Sequence, residues 1–143
     1  MRFVKSTMYS ALIATGLGAF PLASVADAMA SLETQQQGPV SFVSGGVGED
    51  ERQEIKNLSP GYPLELLFVT KGSPNEYLAD IKVQIKDKDG KVVLDTISQG
   101  PFLLAKMPPG KYSISADSEG TVKRQTIQVA SGRTQRIVFV WDR

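Results

Sequence analysis

Apolar and polar residues alternate strictly over several short stretches of this chain, and this alternation restricts the fold more than any other feature. Residues 81–86 read Ile-Lys-Val-Gln-Ile-Lys and residues 112–116 read Tyr-Ser-Ile-Ser-Ala. A period of two places one set of side chains on the buried face of a strand and the other set in water. From residue 63 onward such stretches recur, with Gly and Pro turns between them, at intervals of about 8–12 residues.

The pattern predicts an all-β domain, an antiparallel sandwich of seven to eight strands with one short N-terminal helix. A parallel sheet is not expected, because a parallel crossover needs about a dozen residues, usually a helix, and none separates the later strands. The helix is predicted near residues 49–58, where acids occupy the first turn and Ile55 and Leu58 form a narrow apolar stripe. Pro60 then ends it.

Asp89 and Gly90 lie between strands predicted at 81–86 and 92–94, and an Asp-Gly pair in this setting is the strongest short signal of a β-hairpin. The sequence Asp-Lys-Asp-Gly that ends at Gly90 also resembles the opening of a calcium loop. However, Lys91 stands where that loop needs its third acidic or amide ligand, and no glutamate closes it. A hairpin turn is therefore expected.

The N-terminus has the three-part organisation of a secretory signal peptide. Arg2 and Lys5 precede an uncharged stretch over residues 6–26 with an apolar centre, and two small-residue A-x-A sites overlap at residues 26–30. An uncleaved membrane anchor is the alternative, but it needs about 20 strongly apolar residues. Polar residues, glycines and a proline dilute this stretch, so a cleaved leader is expected.

The leader sets the expected domain organisation and location. Residues 1–30 are predicted to be the signal peptide, cleaved before Met29 or Ser31. Residues 31–39 are polar and unpatterned and are expected to form a flexible tail. Residues 40–143 then form one domain that includes the short helix. The mature chain is expected to be periplasmic or extracellular, with no membrane span after cleavage.

The charge balance argues against a nucleic-acid partner. The predicted leader holds two of the 16 basic residues and one of the 15 acidic residues, so the mature chain has no formal net charge. Nucleic acids and anionic membranes select proteins with a net basic surface. The partner is therefore expected to be a protein or a carbohydrate.

Residue types that carry common catalysis are missing. The sequence has no histidine and no cysteine, which excludes Ser-His and Cys-His nucleophile pairs and imidazole zinc sites. A G-x-S-x-G elbow is also absent. A hydrolase that uses only carboxylates stays open, and it needs two acids at a set separation. We expect a non-enzymatic protein with no cofactor and no metal.

The segment over residues 44–48, Ser-Gly-Gly-Val-Gly, precedes the predicted helix in the way a phosphate loop would. It lacks the Gly-Lys-Ser/Thr ending of such a loop, and the acids at residues 49–51 would repel a phosphate. A tight strand-to-helix turn is therefore predicted. A cation site built from those acids and the loop carbonyls is the open alternative.

Residues 79–141 resemble the carboxypeptidase regulatory-like domains, which have a transthyretin-like (prealbumin-like) β-sandwich. The resemblance rests on Ala79–Val83, on Asp87–Lys91 and above all on the Pro-Pro-Gly-x-Tyr turn within Met107–Tyr112. Residues 44–58 are similar to a segment of small exported bacterial proteins of unassigned function. Such domains accompany peptidases, receptors and surface proteins without performing the catalysis, so the resemblance implies an accessory or binding role.

Two tyrosines in turn-like segments are the candidate ligand contacts. Tyr62 and Tyr77 lie beside proline-containing turns, where exposed aromatic rings can anchor a peptide or stack on a sugar. Half-buried packing is the alternative for both, and Tyr112 and Trp141 are predicted to be core. The expected function is an accessory or binding module that recognises a protein or glycan through loops. The alternative is an envelope assembly component that acts by edge-strand pairing.

Overall fold

Nine strands and one α-helix make up the part of the chain that the structure describes. The computed structural model describes residues 32–72 and 76–142, and the predicted leader lies outside them. The elements, in chain order, are β1 (Gln35–Gln37), β2 (Val40–Gly45), α1 (Glu49–Leu58), a single 3-10 turn (Ser59–Gly61), β3 (Leu64–Lys71), β4 (Ile81–Asp87), β5 (Val92–Ser98), β6 (Phe102–Lys106), β7 (Gly110–Ser118), β8 (Thr121–Val129) and β9 (Gln135–Asp142).

The strands form two sheets. One has five strands in the order β1-β2-β6-β3-β9, and the other has four in the order β5-β4-β7-β8. Every paired neighbour is antiparallel except β3 and β9, which run parallel with Leu64 opposite Gln135. The predicted all-β class is confirmed in this form: two mainly antiparallel sheets with one short helix. The helix predicted near residues 49–58 is also confirmed.

Two details of the predicted fold were wrong. The strand count is nine rather than seven to eight, because β1 forms within residues 31–39, where a flexible tail was expected. Its Gln-Gln-Gln sequence has no alternation to reveal it, and it forms by pairing with β2. The sheet is also not wholly antiparallel. Since β3 and β9 are far apart in the chain, no hairpin sets their relative direction.

One core cluster contains residues from both sheets. Its aromatic part is Phe68, Phe139 and Trp141, whose ring centroids lie 5.9 to 6.3 Å apart. Trp141 is 1% exposed and donates its indole N–H to the Thr121 carbonyl at 2.9 Å. Tyr112 is also buried in this cluster. The prediction that Tyr112 and Trp141 are core residues is confirmed.

The β4–β5 connection is the predicted hairpin. The Asp87 carboxylate accepts the backbone N–H groups of Asp89 and Lys91 at 2.9 and 3.0 Å. Gly90 has φ +83° and donates its N–H to the Asp87 carbonyl, so the turn needs glycine at this position. The Asp87 carboxylate therefore serves as a hydrogen-bond acceptor within the turn.

Strand β6 is buried on both faces, and this places helix α1. Leu103 and Ala105 face the large core, whereas Phe102 and Leu104 lie in a second cluster with residues of β2 and α1. Ile55 is the buried residue of α1. The helix therefore packs on the face of the five-stranded sheet that points away from the four-stranded sheet, which is called the outer face below.

Candidate ligand groove beside helix α1

The glycine-rich loop between β2 and α1 is closed by a carboxylate from the helix. One oxygen of Glu51 accepts the backbone N–H groups of Gly46 and Val47 at 2.9 and 3.2 Å. Gly46 has φ +99°, and a Cβ on it would lie 2.6 Å from a ring carbon of Phe102. The loop is thus the predicted tight turn, and its inward N–H groups already hold an internal anion. No cluster of three or more metal-ligating side chains occurs within residues 32–72 and 76–142.

Arg52 connects this loop to the candidate ligand contact Tyr77. One guanidinium nitrogen donates to the Gly46 and Val47 carbonyls at 3.3 and 3.4 Å, and the other binds the Glu49 carboxylate at 3.0 Å. The guanidinium carbon lies 5.3 Å from the centroid of the Tyr77 ring, within the range of a cation–π contact. The first turn of α1 therefore positions a cation against the tyrosine.

A groove of about 750 Å³ separates α1 from the rest of the outer face. Tyr77 is 53% exposed in it, and its ring centroid lies 5.9 Å from that of Phe102. The volume lies in the range of small-molecule and peptide-side-chain sites. The groove is lined by Glu49, Arg52, Gln53, Ile55, Lys56, Ser59, Pro60, Glu65, Tyr77, Phe102, Thr134 and Arg136.

A second charged pair lines the groove on the sheet. Glu65 of β3 binds the Arg136 Nε at 3.2 Å and accepts the Ser59 hydroxyl at 2.6 Å. The Glu65 side chain is 12% exposed, whereas that of Arg136 is 56% exposed. The carboxylate is thus occupied by its neighbours, and the guanidinium remains open to a ligand.

The charges lining the groove leave one cation without a partner. Glu49 and Glu65 each pair with an arginine. Lys56, on the exposed side of α1, forms no ion pair with any described residue. An aromatic and apolar floor is thus bordered by two ion pairs and a free ammonium group, an arrangement that suits an uncharged or weakly acidic ligand.

Tyr62 lies in a different place from Tyr77. It lines a smaller cavity of about 330 Å³ with Lys106, Met107 and the β8–β9 turn. The Lys106 ammonium nitrogen lies 5.4 Å from its ring centroid, and the ring is partly buried against the second apolar cluster. Pro60 lines both cavities, but the structure does not bring the two tyrosines into one site.

The groove residues that sequence reasoning missed come from three separate elements. Nothing in the sequence pattern connected Phe102, Arg52 or Arg136 with a ligand site. No spacing rule links them. The pairing of β3 with β6 and β9 places Phe102 and Arg136 on one sheet, and helix α1, which packs on that sheet, carries Arg52. Only the isolated aromatic at Tyr77 gave a signal in the sequence.

Tyr112 lies outside the groove, in the predicted Pro-Pro-Gly-x-Tyr turn. Its hydroxyl donates to the Pro108 carbonyl at 2.7 Å. Burial raises the pKa of Tyr112 above its ordinary value, and the nearby Asp87 carboxylate adds to the increase. The role of Tyr112 in this turn is therefore structural: the ring fills the core and the hydroxyl fixes the loop.

Comparison with known proteins does not assign the chain to a family. No family model matches it, and no curated protein is similar to it. Among the described helices, none has the length and apolar character needed to cross a bilayer.

Proposed function

We propose that the chain is an exported, non-enzymatic accessory or binding module that takes a protein or glycan ligand in the groove beside α1. The observation that carries this proposal is the half-exposed Tyr77 above an apolar floor in the groove of about 750 Å³ beside α1. Large aromatic side chains with one polar end are the residues that most often anchor ligands.

Of the two ligand classes, the geometry favours a peptide segment of a partner protein. A sugar stacks on an open aromatic face, whereas the Tyr77 ring already has Arg52 and Phe102 beside it. What remains free is the hydroxyl and the ring edge, together with the Arg136 and Lys56 charges. These groups suit a small apolar side chain flanked by a carboxylate.

Two observations support the proposal that the protein is not an enzyme: the residue types missing from the sequence and the ion pairs made by the acids of the groove. A carboxylate-only hydrolase needs one free acid and one free base. Glu49 and Glu65 are instead bound to Arg52 and Arg136. Export rests on the signal-peptide pattern of residues 1–30.

We also infer that the two sheets form an open β-sandwich of the transthyretin-like type. Support comes from the core cluster that both sheets share and from the Pro-Pro-Gly-x-Tyr turn, which joins β6 of one sheet to β7 of the other.

Peptide and glycan arrays probed with the purified protein test the proposal. The best ligand is then measured by calorimetry against Tyr77→Ala, with Tyr62→Ala as a matched control from the smaller cavity. We expect Tyr77→Ala to weaken binding at least about tenfold and Tyr62→Ala to change it less than about twofold. The opposite order would move the site to the smaller cavity. Blank arrays would refute the binding role.

The second candidate, assembly through edge-strand pairing, is favoured by one observation. Within the described residues, β9 is an edge strand of eight residues that pairs only with β3. A strand with one unpaired edge can take a further strand through its backbone.

A further inference from the structure

The edges of the two sheets differ in how they are protected against further pairing. The edge strand β1 has three residues. At β5, the side-chain amide of Gln37 accepts the Asp95 N–H at 2.9 Å and donates to the Asp95 carbonyl at 3.0 Å. That amide occupies the free edge of β5 as a neighbouring strand would.

Strand β8 carries a different protection. Lys123 pairs in register with the buried Ala116 of β7, so its side chain lies on the inner face of the sheet. A charge that points inward on an edge strand opposes the docking of another strand. Strand β9 has neither device, since its inner residues Ile137, Phe139 and Trp141 are all apolar and buried.

The backbone of β9 presents a regular set of hydrogen-bonding groups at its free edge. The Gln135 N–H donates to the Pro63 carbonyl beside β3, and the N–H and C=O groups of successive residues in a strand point to alternate sides. Odd-numbered residues of β9 therefore bond toward β3. Arg136, Val138, Val140 and Asp142 direct their backbone groups to the unpaired edge.

The side chains of these four residues are complementary to those of an identical strand that runs antiparallel to β9. Val138 and Val140 are 45% and 40% exposed on the outer face, next to Leu67 and Val69 of β3. Arg136 stands before the valines and Asp142 after them. An antiparallel copy of the same strand would oppose unlike charges and place valine against valine.

We propose that β9 pairs with β9 of a second copy of this chain, antiparallel and about a two-fold axis at Phe139. Arg136 then faces Asp142 of the second copy, and Val138 faces Val140 of the second copy. Both kinds of pair join residues whose backbone groups point outward, so the register gives about eight hydrogen bonds between the copies. Cross-strand valine pairs and opposite charges are stabilising in this arrangement.

The proposed pairing makes the edge-pairing candidate specific. It shares Arg136 with the groove, but the interface variants below change only Val138, Val140 and Asp142, none of which lines the groove. If the protein does not self-associate, ligand binding at Tyr77 is unaffected. If no ligand binds in the groove, self-association through β9 is unaffected. The two are therefore tested by separate variants.

Sedimentation equilibrium of the purified protein tests the interface. Val140→Lys is expected to weaken self-association at least about tenfold. In a dimer of this variant, the lysine of each chain lies opposite Val138 of the other chain, so two charges face apolar side chains. Val122→Lys is the matched control, since Val122 is also 40% exposed but lies on β8. Thermal melts show that each variant is folded. A monomeric wild type, or an equal effect of both variants, overturns the proposal.

The charge pair is tested by a reversal. Asp142→Arg places two arginines opposite each other at both ends of the interface and should weaken self-association about tenfold. Asp89→Arg makes the same change of net charge at the tip of the β4–β5 hairpin and should have no effect at matched ionic strength. If the two reversals act alike, the specific Arg136–Asp142 contact is refuted.

Disulfide formation tests the register. The chain has no cysteine, and residues opposite each other in a hydrogen-bonded pair have Cα atoms about 5.5 Å apart, within disulfide range. A mixture of Val138→Cys and Val140→Cys should cross-link between the two variants, while either variant alone should not. Self-linking of one variant would contradict this register, and no cross-link above a Val122→Cys control would contradict the interface.

Discussion

Replacement of Gly100 by alanine tests the packing that supports the groove. Gly100 is buried between β5 and β6, and a Cβ on it would lie 2.8 Å from the Gly45 Cα and closer still to the Gly45 carbonyl. Carbon atoms pack at about 3.5–4.0 Å, so the new methyl group overlaps backbone by roughly 1 Å. The Gly100 φ lies outside the left-handed region, so the penalty is steric.

The loss of stability expected for Gly100→Ala depends on whether the atoms next to the new methyl group can move aside. Overpacking a core costs about 1–3 kcal/mol when side chains can move aside. Here the obstacle is the backbone at the end of β2, so we expect a loss of about 3 kcal/mol in the free energy of unfolding. In a domain of this size that loss lowers the Tm by roughly 12–24 °C.

Thermal unfolding followed by circular dichroism measures the change. Gly61→Ala is the control, because a Cβ there has no atom within 4 Å, and it should shift the Tm by less than about 4 °C. Since Phe102 follows Gly100 closely, the Gly100 variant should also weaken ligand binding. A Gly100→Ala protein that melts within 4 °C of the wild type would refute the packing described for this turn.

Three further predictions concern hydrogen bonds. Tyr112→Phe should lower the free energy of unfolding by about 1 kcal/mol at neutral pH. Because the folded-state pKa of Tyr112 is raised, its contribution to wild-type stability should be lost as the pH rises above 10.0. Urea unfolding at several pH values should therefore show a smaller fall in the variant than in the wild type, and an equal fall would refute this. Gln37→Ala should lower the free energy of unfolding in urea by about 1 kcal/mol and speed hydrogen exchange at the Asp95 amide. Unchanged exchange would refute the hydrogen bonds of Gln37 to the edge of β5. Glu51→Gln should lower the free energy of unfolding by about 1–2 kcal/mol, because a neutral amide binds the two loop N–H groups more weakly than a carboxylate. An unchanged urea midpoint would contradict this role of Glu51.

Much of the fold could be predicted because local rules decide it. Residues 81–86 alternate with period two, and Asp89-Gly90 follows them, so a strand and a hairpin are both determined within ten residues or so. The acids of residues 49–51 and the proline at Pro60 likewise define α1. In each case the elements that interact are adjacent in the chain.

What escaped prediction depends on distant pairing. The Gln-Gln-Gln strand β1 exists because β2 and Asp95 offer partners, and the parallel β3–β9 pair joins segments with no direct connection. The same pairing carries Arg136 to Glu65 and so creates the side of the groove opposite α1. A single sequence holds no periodicity that records such contacts.

Amide shift mapping by NMR on the isotopically labelled protein, titrated with the best ligand from the arrays, tests the central claim most directly. We expect the largest shifts on Arg52, Tyr77 and Phe102, and we expect Tyr77→Ala to abolish them. Shifts centred on Tyr62 and Lys106 instead, with none around Tyr77, would contradict it.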